Sequence, residues 1–244
     1  GKINPEEYEL LILDEVLQSL TRKRSEAVGR FTNSIKLGFT ATPKFSEDKN
    51  VQQLLNTEIH SMSIREAVEE DLLCPFSVFI AQSDIDLSSV SITSSGEYND
   101  EDLQKAVDVH NRNQGAVEIY KRLFEGQTAV AYCTGIRHSE NMAELFREAG
   151  VPTAVISGKN TEKEKEEILR QFKDGEIKVL CNADILIQGF DEPRASVCLN
   201  LRPTLSLVLA EQRGGRVLRK DRNNPQKHAH IVDFFDKVEE GKNI

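Results

Sequence analysis

From Ala116 onward, short apolar runs alternate with amphipathic stretches of about ten residues, and few folds accommodate that pattern. Thr128–Cys133, Thr153–Ile156, Ile177–Cys181, Ser196–Leu201 and His230–Phe234 read as strands. Ala116–Phe124, Ser139–Ala149, Thr161–Phe172 and about Leu205–Leu218 read as helices. Strands joined through helices imply βαβ units and a mostly parallel sheet, because parallel neighbours need a crossover long enough to bring the chain back.

Two further apolar runs lie near the N-terminus. Tyr8–Leu13 stops at Asp14-Glu15, and Ile35–Phe39 stops at Thr40-Ala41-Thr42-Pro43. Both are expected to be buried parallel strands with polar residues at their C-terminal ends, where open α/β sheets bind ligands. Between these runs and the regular alternation, residues 81–113 carry acidic residues and a Ser/Thr-rich patch, and read as a linker or insertion. The organisation expected is therefore the end of one domain over 1–80, the linker over 81–113, and a complete α/β domain over 114–238.

A net charge of −9 argues against a protein that holds nucleic acid by diffuse basic charge, so any polyanion site must be local. Two clusters qualify: Thr21–Arg30 has four basic residues against one acidic, and Thr204–Arg222 has five against two. The bland reading of each is a solvated helix face. Cys74, Cys133, Cys181 and Cys198 form no CxxC pair and read as reduced core thiols. His228 and His230 would share a strand face, but no third metal ligand stands nearby. The sequence contains no apolar run of membrane-spanning length and no secretory signal at its N-terminus, so a cytoplasmic location without membrane association is expected.

Three short segments have chemical potential. An acidic pair at a strand end, Asp14-Glu15, suits a nucleotide hydrolase: one carboxylate can hold Mg²⁺ through its water shell while the next orients water. Thr40-Ala41-Thr42 could equally cap the next turn or strap a site to a moving neighbour. In Gln212-Arg213-Gly214-Gly215-Arg216-Val217-Leu218-Arg219, adjacent glycines suggest a helix break or a close backbone approach. If the helix continued, Arg216 and Arg219 would share a face and could reach one phosphate.

In order and approximate spacing, these elements resemble superfamily 2 helicases of the DExH type. Asp14-Glu15 resembles motif II, Thr40-Ala41-Thr42 motif III, and Ala131-Tyr132-Cys133-Thr134 motif IV. Gly189-Phe190-Asp191-Glu192-Pro193 resembles motif V, and Gln212–Arg219 the QxxGRxxR form of motif VI. Arg202-Pro203-Thr204-Leu205-Ser206 is similar to the branch of restriction-enzyme motor subunits and bacterial repair helicases.

The resemblance implies a complete RecA-like domain preceded by the end of another, with ATP and Mg²⁺ between them. On that reading Asp14 and Glu15 hold the metal and activate water, while Gln212, Arg216 and Arg219 reach the γ-phosphate. Gly189 and Asp191 face the nucleotide, with Asp191 near the ribose. Thr40 and Thr42 couple cleft closure to movement, and Thr134 and Thr204 lie near the nucleic-acid backbone. The partner implied is nucleic acid, DNA before RNA, with room for other subunits or domains of a larger machine.

Two departures qualify this. No GxxxxGK[ST] segment occurs, so the chain is expected to be a fragment that hydrolyses no ATP alone, its parent being the motor. Val16, Leu17 and Gln18 follow the acidic pair where the family has a small residue and then His or Asp, and Leu17 can form no side-chain hydrogen bond. A non-catalytic RecA-like module that binds nucleic acid or protein would share both departures. A dinucleotide-binding enzyme would share the sheet, but the lack of any strand-GxGxxG-helix unit argues against it.

Overall fold

The computed structural model describes residues 3–41, 44–46, 49–55, 57–94, 96–183 and 191–237. They fall into two units, Gly1–Ser63 and Ile64–Ile244.

In the first unit, β1 (Leu10–Leu13) leads through the short helix α1 (Arg22–Gly29) to β2 (Ile35–Gly38). The two strands pair in parallel, with Leu10 opposite Ile35 and Leu13 opposite Gly38. A small antiparallel pair, β3 (Lys44–Ser46) and β4 (Lys49–Asn50), follows. Parallel pairing agrees with the sequence reading, but full burial does not. Ile12 is 59% and Ile35 73% exposed, because a two-stranded sheet has two faces and this unit covers only one of them. Gly38 sits on the covered face, where a Cβ would crowd Cδ1 of Leu55 and lie 3.2 Å from the Cβ of Val16. The basic residues of Thr21–Arg30 lie largely on α1, where Arg22 pairs with Glu26 in solvent, so this cluster is a solvated helix face.

The second unit opens with α2 (Ile64–Glu69), β5 (Phe76–Asp86), α3 (Asp100–Val107) and α4 (His110–Leu123). Then come β6 (Ala129–Tyr132), α5 (Ile136–Glu148), β7 (Thr153–Ile156), α6 (Glu162–Asp174) and β8 (Val179–Asn182). It closes with β9 (Val197–Asn200), α7 (Leu207–Gly215) and β10 (Ala229–Lys237). The six strands form one parallel sheet in the order β5-β10-β9-β6-β8-β7. Every residue of β6, β8 and β9 is buried, as their uninterrupted apolar runs require. Ala129, Ala131, Cys181 and Leu199 pack with Tyr120 of α4 and Met142 and Phe146 of α5. Val130, Tyr132, Leu180 and Cys198 form a second cluster with Phe172 of α6 and with Val217. All four thiols are buried and unpaired. Among the described residues no helix is long and apolar enough to cross a membrane.

The segment 81–113, expected to be a linker, is folded into the second unit. Strand β5 runs to Asp86 and lies at the sheet edge, where one face meets water and alternation with polar residues is tolerated. In and beside the Ser/Thr-rich patch, Leu87, Val90 and Tyr98 are buried against Leu103 and Val107 of α3. Asn99 caps that helix by accepting from the backbone N–H groups of Glu101 and Asp102. The polar composition thus hid a small satellite core.

One buried ion pair joins α4 to the sheet. Arg112 donates to both carboxylate oxygens of Asp236 at 3.2 and 3.0 Å and to the carbonyl of Leu201 at 2.8 Å. Its guanidinium also lies 5.0 Å from the ring centre of Phe234. Removing one member strands the other charge in the interior. Asp236→Ala should therefore destabilise the chain by about 3–5 kcal/mol in urea denaturation; a loss below ~1 kcal/mol would assign the pair the energetics of the surface.

Candidate functional site

Asp14 and Glu15 directly follow β1, and Thr40 stands two residues beyond β2, at the same C-terminal end of the parallel pair. The ladder continues through Phe39 N–H to Leu13 O at 2.9 Å and Val16 N–H to Phe39 O at 3.0 Å. Asp14 is exposed and accepts from the N–H of Glu15 at 3.0 Å. Glu15 itself sits in the left-handed region, φ 47°, which costs a non-glycine residue roughly 1–2 kcal/mol. This is where backbone strain accompanies the candidate chemistry. Thr42 lies outside the described residues.

The remaining candidates belong to the second unit. The segments that carry Thr134 and Thr204 follow the C-terminal ends of β6 and β9, and Asp191 lies in the stretch between β8 and β9. Gly189 lies outside the described residues. Helix α7 was expected to continue to Leu218, yet it ends at Gly215. The backbone then closes in short turns, with the N–H groups of Arg216, Val217 and Leu218 donating to the carbonyls of Arg213, Gly214 and Gly215. Arg219 has left the helix and bridges Leu73 in antiparallel fashion. Arg216 and Arg219 therefore do not share a helical face, because the paired glycines break the helix between Gln212 and Arg219. Gly214 also serves a close approach, since a Cβ there would lie 2.9 Å from Cδ1 of Ile231.

Arg219 instead forms an ion pair with Asp191, so these two predicted residues are brought together. Behind them, buried Lys227 donates to the carbonyl of Pro193 at 2.6 Å and to that of Arg219 at 2.7 Å. Burial lowers the pKa of Lys227, against the attraction of Cys74, Asp221 and Glu192. Arg213 is fully buried, donates to the carbonyl of Arg202 at 3.0 Å, and lies 5.7 Å from the ring centre of Tyr132.

Both second-unit threonines are engaged within the chain. The Thr134 N–H donates to Nδ1 of His138 at 3.2 Å, and the Thr134 hydroxyl is 3.0 Å from the same nitrogen. Nδ1 must then be the acceptor, which puts the ring proton on Nε2, 3.1 Å from Oδ1 of Asn113. Asn113 and Asn141 both donate to Asp108, at 2.9 Å and 2.8 Å, completing a network between α4 and α5. Burial pushes the His138 pKa down to about 4; Asp108 opposes this and Arg112 reinforces it. The Thr204 hydroxyl donates to Oε1 of Glu97 at 3.0 Å, and the Leu205 N–H donates to the same oxygen at 2.8 Å.

Comparison with known proteins matches residues 115–221 to the helicase conserved C-terminal domain. Over that segment the chain is similar to the C-terminal domain of helicases. A 51.5 kDa protein of a Lactococcus phage is 29% identical over 224 residues, covering 92% of this chain and 48% of the phage protein. A Saccharomyces cerevisiae protein assigned by name to ATP-dependent helicases, IRC3, is 24% identical over 243 residues, covering 96% of this chain and 35% of its own. Among solved structures, a fragment described as an HsdR subunit of a type I restriction enzyme from Vibrio vulnificus superposes with a TM-score of 0.69 at 19% identity. That match covers 94% of this chain and 44% of the other. The chain thus spans about half or less of the length of the relatives it matches. Its parallel α/β sheet is the RecA-like fold of the helicase C-terminal domain.

In the second unit, the roles of Arg213, Lys227, His138 and Glu97 were not anticipated. Arg213 lies inside the motif VI-like segment, where the sequence points to Arg216 and Arg219 as the phosphate contacts. The other three offered no signal, since isolated charged residues and a lone histidine are usually surface residues. The His138 network predicts a pH dependence. The folded pKa of about 4 lies below the ordinary 6.5, so the folded state binds fewer protons between those values. The stabilisation is complete above pH ~6.5 and is lost as pH falls toward ~4, on the order of 3 kcal/mol in all. Urea midpoints measured across that range should fall more steeply for the native chain than for His138→Gln; parallel curves would refute a buried neutral imidazole.

Proposed function

We propose that this chain works in an ATP-driven motor that translocates along or unwinds nucleic acid. The observation that carries the reading is the meeting of Asp191 with Arg219, which joins the motif V-like and motif VI-like segments beside the parallel sheet. Gln212, Arg216 and Arg219 are assigned to the triphosphate, the arginines offsetting the charge that develops on its terminal phosphoryl group. Asp191 and Gly189 are assigned to the nucleotide's sugar side. When ATP binds, Asp191 would have to share or release Arg219, which makes that ion pair the resting position of the arginine.

In the first unit, Asp14 is assigned to Mg²⁺ and Glu15 to orienting the attacking water. The donors fit this ion: Asp14 presents an exposed carboxylate directly after β1, with Glu15 beside it. Mg²⁺ typically takes one or two carboxylates and fills its shell with water and phosphate oxygens. Its contribution when bound is to neutralise phosphate charge. Glu15 is half-buried behind exposed Asp14, a difference that suits the two roles.

Nucleic acid is assigned to the loops of Thr134 and Thr204, with Thr40 and Thr42 coupling hydrolysis to movement. Since the two loop hydroxyls are already engaged, backbone contact with phosphates is assigned to neighbouring main-chain N–H groups or requires those hydroxyls to switch partner. DNA is favoured over RNA by the likeness to restriction-enzyme subunits, and further domains or subunits would supply the remainder of the machine.

In the natural-length protein, ATP hydrolysis should be stimulated by one of single-stranded DNA, duplex DNA or RNA. Glu15→Gln and Arg216→Ala should each lower the stimulated rate by about 10³-fold or more. Hydrolysis that persists in both variants would overturn the residue assignments. A folded protein that binds nucleic acid without hydrolysing ATP would identify a non-catalytic module, the reading favoured by Leu17 after the acidic pair.

A further inference from the structure

Lys227 belongs to none of the helicase-like segments, yet it is only 4% exposed and contacts two of them. Its ammonium donates to the carbonyl of Pro193, two residues beyond Asp191, and to the carbonyl of Arg219 itself, at 2.6 and 2.7 Å. One cation therefore ties together the main chains of both loops whose side chains form the Asp191–Arg219 ion pair. That ion pair cannot fix its own geometry: the Arg219 and Asp191 side chains are 37% and 67% exposed, and pairs this open to solvent are weak and easily exchanged. An ammonium bonded to main-chain carbonyls in the interior is a far stiffer restraint, because releasing it leaves a buried charge without partners.

Burial works against this charge and lowers the Lys227 pKa; Asp221 and Glu192, on the two tied segments, offset that in part, while Arg219 adds to it. No carboxylate among the described residues lies within ion-pair distance of Lys227, so its direct side-chain partners there are the carbonyls. The Lys227 N–H donates to the carbonyl of Asn224 at 3.0 Å, closing the turn that presents the side chain.

We propose that Lys227 is a positioning residue, holding the Asp191 and Arg219 loops in register so that the Arg219 guanidinium is aimed at the terminal phosphate of the nucleotide. This rests on the assignment of Arg219 made above, and two measurements separate the claims. In the natural-length protein, Lys227→Met should lower kcat for nucleic-acid-stimulated ATP hydrolysis about tenfold or more, while KM for ATP changes by less than about twofold. The same substitution in an Arg219→Ala background should cause no further loss, because the residue to be positioned is gone. An equal loss in both backgrounds, or an unchanged kcat in Lys227→Met, would overturn the proposal.

The second measurement needs no hydrolysis. In this chain, the side-chain Nε–Hε resonance of Arg219, followed by nitrogen-15 NMR, should shift in Lys227→Met as it does in Asp191→Asn. A resonance that shifts in Asp191→Asn but not in Lys227→Met would overturn the positioning claim. Should Arg219→Ala hydrolyse ATP at the full rate while the resonance moves as expected, the role of Arg219 fails and the tie made by Lys227 stands. Lys227→Gln, which keeps a donor without the charge, serves in the same assays if Lys227→Met does not fold, and a native kcat and resonance in it would equally overturn the proposal.

Discussion

The parallel ladder of β6 with β8 and β9 is the constraint on which the second unit depends. Parallel strands all leave the sheet in one direction, so segments far apart in sequence emerge along one edge. The loops after β6 and β9, carrying Thr134 and Thr204, are placed by strand order. The ladder holds because these three strands are buried throughout, with α4 and α5 packed against one cluster of side chains and α6 against another. Loss of register would move every buried side chain to the opposite face.

Around the two edges of the sheet, polar side chains are used inward. Arg112 and Arg213 donate to the carbonyls of Leu201 and Arg202, just beyond the C-terminal end of β9, and Lys227 donates to those of Pro193 and Arg219, on the side where β9, β10 and β5 begin. Glu97 and His138 do the same for main-chain N–H groups, at Leu205 and Thr134. Loops have no ladder of their own, so their carbonyls and N–H groups need partners once buried. Supplying charged side chains for this purpose both satisfies them and fixes the loop, at the cost of desolvating the charge. A loop held in this way can present Asp191 and Arg219 to solvent without being mobile itself.

The alternation of apolar runs with amphipathic helices was sufficient for the parallel sheet, and all five of the strand runs read beyond Ala116 are present. Strand β5 was missed in the sequence reading because an edge strand is wetted on one side, so Asp84 and Asp86 look like loop residues. The glycine pair in Gln212–Arg219 signalled either a helix break or a close approach, and the chain uses both: Gly214 against Ile231, and termination at Gly215. The spacing of Arg216 and Arg219 could not reveal their geometry, since it depends on whether the helix continues.

The sequence by itself determined the strand and helix types, the parallel sheet, and the segments in which nucleotide chemistry is to be sought. Those follow from local periodicity and from residue types at strand ends, which are properties of neighbours in the chain. Only the tertiary structure decided that residues 81–113 pack as part of the second unit, that Arg219 meets Asp191, and that Lys227, His138 and Glu97 secure the loops. Each of those contacts links residues whose spacing follows no helical or strand period, or depends on burial that only the assembled sheet creates. The same lysine or histidine on an exposed helix would have been an ordinary solvated side chain.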